Sequence, residues 1–243
     1  MAYTKINGIV LAENNMGDFD KMLTILTPNL GKISCVAKGA RRPKSALLAG
    51  TQIFCFAEYL MYKGGNTYHI NSVNSIEFFY NLRIDLDKLK YAVHINKIVQ
   101  DIVQENQNSF NILQLLLNTL YIISESEKDL DLVSSIFKMR LLKILGYTPS
   151  IQECKNCKEK QNLKYFSIKD NGFKCINCGK QDKSAIKITE STRNAIIYIL
   201  TAPAKKIYNF DLKDDALKEI KLISNLYFNH KLEKEYKLEN IFK

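Results

Sequence analysis

Two extended runs, Gln52-Ile-Phe-Cys-Phe-Ala-Glu-Tyr-Leu-Met-Tyr62 and Asn66-Thr-Tyr-His-Ile-Asn-Ser-Val-Asn-Ser-Ile-Glu-Phe78, flank Lys63-Gly64-Gly65. A glycine pair between strand-like runs marks a hairpin, because glycine accepts the positive φ that a tight turn demands. Working toward the N-terminus, residues 6–11, 22–27 and 33–37 are further short apolar or alternating stretches. They are separated by Asn14-Asn15-Met16-Gly17 and by Pro28-Asn29-Leu30-Gly31, both rich in turn formers. Five short strands within residues 1–80, with no ordinary helix among them, predict a small antiparallel barrel of the OB-fold or SH3-like kind.

Beyond Leu82 the period changes. Leu89, Ala92, Val93, Ile95, Val99, Ile102 and Val103 form a helical stripe with Asp87 as its expected cap. Residues 110–123 follow Ser109, a second cap candidate, and their apolar positions cover most of the circumference, as in a central buried helix. A third helix is expected over 130–145, stopped by Gly146 and Pro149. Residues 189–200, opened by Thr189, and 210–230 supply two more. Between these helical stretches lies a cysteine-bearing segment, 151–187, which therefore reads as an insertion into one helical domain. The expected layout is a barrel (1–80), a helical domain in two parts (81–150 and 188–243) and an inserted module (151–187). The last dozen residues read as a fraying tail.

Cys154, Cys157, Cys175 and Cys178 have the spacing C-x2-C-x17-C-x2-C, which suits four thiolates around one tetrahedral zinc ion. Four sulfur ligands leave no open position for water or substrate, so the expected zinc is structural. Cys35 and Cys55 stand in strand-like surroundings and read as small buried hydrophobes. No H-x-E accompanies the cysteines, which excludes a zinc deaminase. His69, His94 and His230 are dispersed along the chain, and Asp18/Asp20 and Asp214/Asp215 lie beside polar turns. No catalytic constellation emerges, and the chain reads as non-enzymatic.

Lys and Arg number 35 against 25 Asp and Glu, a net charge of +10 that points to a polyanionic partner. Only Arg41, Arg42, Arg83, Arg140 and Arg193 are arginines. A lysine-dominated surface suits phosphate better than base edges. The charge is unevenly placed: residues 31–80 carry +4, 81–150 are neutral and 151–187 carry +5. Residues 32–44 hold five cations and no acid: Lys32, Lys38, Arg41, Arg42 and Lys44. With Gly39 allowing close backbone approach, these five are the candidate nucleic-acid phosphate contacts. Phe54, Phe56, Tyr59, Tyr62 and Tyr68 are candidate stacking rings. The run from Gly39 to Ser45 echoes a phosphate-binding loop, but Pro43 replaces the glycine needed before the lysine and removes an N–H. No run approaches the ~18 apolar residues of a membrane span, and Lys5 and Asn7 interrupt any secretory core. The expectation is a soluble, cytoplasmic protein with no membrane partner.

Three blocks together resemble the RecO family of bacterial recombination mediators. The first comprises Gly8-Ile-Val-Leu11, Gly17-Asp-Phe-Asp20, Leu26-Thr27, Gly31-Lys32 and Val36-Ala-Lys-Gly-Ala-Arg-Arg42 with Lys44-Ser45. The second includes Arg140-Leu-Leu142 and Leu145-Gly-Tyr147, followed by Cys154 and Cys157. The third is Asn171-Gly-Phe-Lys-Cys175 with Cys178 and Gly179. The resemblance spans essentially the whole chain. It implies an N-terminal OB-fold, a helical domain and a zinc module. It also implies binding of single- and double-stranded DNA, strand annealing, partnership with RecR, and help to RecA in displacing the single-stranded-DNA-binding protein. Asp18 stands where many members carry Glu, and Asn171-Gly172 where Gly-Gly is common. Some relatives lack the cysteines, so the resemblance carries over a structural role alone for the metal.

Two other readings compete. One is a protein-interaction adaptor with incidental nucleic-acid binding, its helical domain offering Arg140 and Arg193 to the acidic tail of a partner such as the single-stranded-DNA-binding protein. The other is an RNA-associated zinc protein.

Overall fold

The computed structural model describes residues 2–238. The final five residues of the expected tail lie outside them. By packing, the chain divides into two compact units between Ser124 and Glu125.

The first unit opens with five strands, β1 (Tyr3–Met16), β2 (Asp20–Thr27), β3 (Gly31–Ala37), β4 (Phe56–Gly64) and β5 (Thr67–Glu77). They form a closed barrel in the order β1-β2-β3-β5-β4, with β3 and β5 parallel and the other neighbours antiparallel. This is the OB-fold arrangement. Alternation places Leu23 and Ile25, Ile33 and Cys35, and Ala57, Tyr59 and Met61 inside a shared core with Val10 and Ile70.

β1 is longer than the sequence suggested. The polar run from Asn14 to Met16 continues the strand, and the turn falls at residues 17–19. Length matters here because β1 pairs with β4 through Tyr3–Ile9 and with β2 through Ile9–Met16. The exchange of partners occurs at a bulge between Val10 and Ala12, the device that lets a strand bend sharply. Gly8 precedes it, and a Cβ there would stand 2.5 Å from Ile25 Cγ2 and 2.8 Å from the Leu26 carbonyl oxygen. The bend therefore needs glycine at this point. In the β4–β5 hairpin only Gly65 takes positive φ (64°); Gly64 pairs with Thr67 as part of the ladder.

A short 3-10 turn (Tyr80–Arg83) leads to α1 (Leu86–Ile102) and α2 (Phe110–Glu125). The cap of α1 is Asp85, whose carboxylate accepts from the Asp87 and Lys88 N–H groups; Asp87 sits in the first turn instead. Asn108 accepts from the Phe110 N–H, while the Ser109 hydroxyl donates to the Gln107 carbonyl. The buried face of α2 is Ile112, Leu113, Leu115, Leu116, Thr119, Leu120 and Ile123, and Phe110 and Tyr121 stand exposed. The helix is thus one-sided. Asn96 of α1 reaches the bulge and its Nδ2 donates to the Leu11 carbonyl at 2.5 Å.

The second unit holds α3 (Leu130–Ile144), α5 (Glu190–Thr201) and α6 (Asp214–Leu232), which pack on one another. Asp129 caps α3 and Thr189 caps α5. The last helix starts at Asp214, four residues later than the apolar pattern from Phe210 indicated. Between α3 and α5 lie β6 (Leu163–Ser167), β7 (Gly172–Cys175), α4 (Ile176–Gln181) and β8 (Ala185–Lys187). The three strands form an antiparallel sheet in the order β7-β6-β8. This ribbon docks on α6 through edge-to-face contact of Phe166 with Tyr227, at 5.4 Å between centroids. Among the described residues, no helix is long and apolar enough to cross a membrane.

Replacing Asn96 with Leu keeps the branched shape but removes the amide that donates to the Leu11 carbonyl. The expected loss is about 1–3 kcal/mol of stability, read from denaturant unfolding midpoints against the parent chain.

Candidate nucleic-acid interface and four-cysteine centre

β3 ends at Ala37, and residues 38–55 return to β4 over one end of the barrel. Ala40, fully buried, anchors this return in the barrel core. The loop is also stitched to the β1–β2 turn. The Gly39 N–H donates to the Asp20 carboxylate at 2.7 Å, and the Arg41 N–H donates to the Phe19 carbonyl at 2.9 Å. The Arg41 guanidinium donates to the Gly17 and Asp18 carbonyls at 3.2 and 3.1 Å. Beside them, the Arg42 guanidinium lies 5.3 Å from the Phe19 ring centroid, a cation–π distance.

The five predicted cations thus have different surroundings. Lys38, Arg42 and Lys44 are exposed on the loop. Arg41 is exposed too but braces the neighbouring turn. Lys32 lies half-buried on β3 and donates to the Gln100 carbonyl of α1 at 2.9 Å. Its ammonium holds a helix to the barrel. Asp20, beside the β1–β2 turn, accepts the Gly39 N–H.

Two of the candidate rings are interior: Phe54 is 1% exposed and Tyr59 is fully buried, its hydroxyl donating to the Gly50 carbonyl. Tyr62 stacks on His69 at 5.0 Å, and Lys63 lies over Tyr68 at 5.8 Å. The ring that stands at the basic loop is Phe19, 47% exposed, which sequence reasoning passed over. Its signal was local: an aromatic residue at the tip of an acidic, glycine-led turn has no alternation to carry it inward. Cys35 and Cys55 are fully buried, and burial pushes the Cys35 thiol up to about 12, where it stays protonated.

In the second unit, Cys154 and Cys157 occupy a turn ahead of β6, Cys175 ends β7 and Cys178 lies in α4. Their four sulfur atoms all fall within 4.8 Å of one another, and those of Cys157 and Cys175 are 3.6 Å apart. A tetrahedral ion with bonds of about 2.3 Å to sulfur requires its ligands about 3.8 Å apart, so the donor set fits one metal ion. The turn is shaped for thiolate. Burial would raise the Cys154 thiol, but backbone N–H groups of Cys157, Cys175 and Asn156 directed at it outweigh burial and lower it to about 6. Hydrogen bonding with Cys157 pushes Cys178 up to about 12. Next to Cys175, Lys174 is buried and bonded to Asp170 and Asp182, with the Asp182 contact at 2.6 Å. Asp182 also accepts from the Ser167 and Ser184 hydroxyls.

Arg140, an anchor in the adaptor reading, donates to the Ile199 carbonyl at 2.9 Å, and Lys143 donates to the Leu200 carbonyl at 2.5 Å. These cations satisfy the end of α5. Arg193 lines a cavity of about 750 Å³ with Lys164, Lys187, Glu190 and Glu219.

Residues 1–79 match the family description "Recombination protein O N terminal" and residues 83–239 match "Recombination protein O C terminal". The chain belongs to the RecO family. A DNA repair protein RecO from Acetivibrio thermocellus is 41% identical over 237 residues, covering 97% of this chain and 94% of the relative. RecO from Alkaliphilus metalliredigens is 35% identical, covering 84% and 83%. RecO from Bacillus subtilis is 30% identical, covering 93% and 88%. A role in DNA repair and recombination follows from this membership, and the RecO barrel is the unit that carries the stitched basic loop.

Elemental analysis of the purified chain is expected to find about one metal ion per molecule. Cys154→Ser should lose that ion and lower the melting temperature, because Cys154 is the most buried of the four cysteines. Retention of the metal by the variant would count against the four-thiolate centre.

Proposed function

We propose that the chain is a non-enzymatic DNA-binding mediator of recombination and repair. It binds single- and double-stranded DNA through the loop after β3 and brings complementary strands together. The observation that carries this reading is the exposure of Lys38, Arg42 and Lys44 on one braced loop, within a run of five cations free of acids. Lysine and arginine at a barrel rim neutralise phosphates and release condensed counterions. Two strands neutralised on one surface repel each other less, which lowers the barrier to pairing. Arg41 braces the loop and Lys32 ties α1 to the barrel, while both add positive potential.

The four-cysteine centre holds one structural zinc ion in this reading. The thiolate set is the one zinc favours, and a filled shell excludes catalysis at the ion. Zinc fixes the ribbon, and the ribbon's exposed lysines 155, 158, 160, 164, 180 and 183 add to the positive field. As in the family it resembles, the chain works in the cytoplasm on the nucleoid. It acts with RecR, meets the tail of the single-stranded-DNA-binding protein and assists the loading of RecA.

The test is a salt-resolved titration of single- and double-stranded DNA. Affinity should fall steeply as salt rises and depend little on sequence. Lys38→Glu with Lys44→Glu should weaken both forms and reduce the salt slope by about two. A flat salt titration, or unchanged affinity in the double variant, overturns the loop as the contact. RNA that competes as well as single-stranded DNA would favour the RNA-associated reading instead.

A further inference from the structure

We propose that Phe19 is a base-stacking platform that makes the basic loop prefer unpaired over paired DNA. The proposal deepens the reading of that loop as the DNA contact and rests on it. Phosphate neutralisation acts on single strands and duplexes alike and distinguishes them weakly. A ring can stack only on a base whose face is open, and inside a duplex both faces are covered by neighbouring pairs.

Phe19 meets three requirements of such a platform. Its position comes first: it lies in the turn between β1 and β2, one of the loops at which OB-folds hold oligonucleotides. It is open, with 47% of its surface exposed although it is purely apolar. It is also held in place. Its carbonyl accepts the Arg41 N–H, the residues before it accept the Arg41 guanidinium, and Asp20 after it accepts the Gly39 N–H. A turn fixed this way gives up little backbone freedom when a base arrives.

Arg42 completes the arrangement. Its guanidinium lies over the Phe19 ring, so a cation able to meet a backbone phosphate stands at the ring. One aromatic face is covered by charge, and the exposed remainder is available to a base. Lys38 and Lys44, exposed on the same loop, extend the phosphate track. Of the other candidate rings, Tyr62 is stacked on His69, and Phe54 and Tyr59 are interior.

The experiment compares oligo(dT) with a blunt duplex of equal length, using the full chain. Phe19→Ala should weaken oligo(dT) binding on the order of tenfold and leave duplex binding unchanged. Phe19→Leu, which keeps apolar bulk over the Arg42 stem, should behave like Phe19→Ala. The chain contains no tryptophan, so Phe19→Trp supplies a sole indole reporter. It should retain the preference, and its fluorescence should be quenched by oligo(dT) and not by duplex. Lys38→Glu with Lys44→Glu separates the two levels of argument. If that pair weakens both DNA forms while Phe19→Ala and Phe19→Leu change neither, or change both equally, the platform is overturned and the loop stands. An unquenched Phe19→Trp under saturating oligo(dT) also overturns it. If the charge-reversed pair binds as the parent does, the loop reading falls, and the platform with it.

Discussion

The bend in β1 is the constraint on which the N-terminal unit depends. One strand serves two neighbours, and it does so by stepping out of register between Val10 and Ala12. A bulge leaves backbone groups outside the ladder, and a buried carbonyl without a donor destabilises the fold. Here the Leu11 carbonyl is met by Asn96 from α1, while Val10 exchanges backbone hydrogen bonds with Phe54 and Cys55. The helix after the barrel is therefore part of how the barrel closes. The packing of α1 against β1 includes this polar bond.

Closure also sets the loops that carry chemistry. Because β1 turns back into β2 at residues 17–19 and β3 leaves the barrel at residue 37, the two connections emerge at the same end. Asp20 and Arg41 then bind them together through main-chain partners. Charges that looked equivalent along the chain acquire different duties. Some hold the architecture, and others face solvent from it.

The second unit solves a different problem. Its ribbon has a small apolar core, with Phe166 and Phe173 at its centre. Small modules of this size are commonly completed by metal. The four cysteines converge because two turns face each other across β6 and β7. The buried Lys174 with its two aspartates secures β7 beside Cys175. Docking of Phe166 against Tyr227 ties the ribbon to α6, which accounts for a module interrupting a helical run without detaching from it.

Much of this was legible in order along the chain. Alternation and glycine-bearing turns gave five strands, apolar period gave the helices, and Cys spacing marked the four cysteines that converge, because each of these signals is local. Helix starts were misplaced at Asp87 and Phe210, since capping depends on which side chain turns inward, a choice made between neighbours of equal propensity. The extent of β1 was hidden because Asn14 and Asn15 are turn formers in isolation, yet their ladder partners Met22 and Lys21 hold them extended. The basic stretch was visible as a count, but the division of labour within it was not. That Lys32 would meet Gln100, that Arg41 would brace Gly17 and Asp18, and that Phe19 would stand exposed beneath Arg42 are outcomes of barrel closure. The sequence by itself determined the elements, the four cysteines that can hold a metal, and the family. The tertiary structure alone decided which cations and which ring are left facing solvent, because those contacts join residues that only closure makes neighbours.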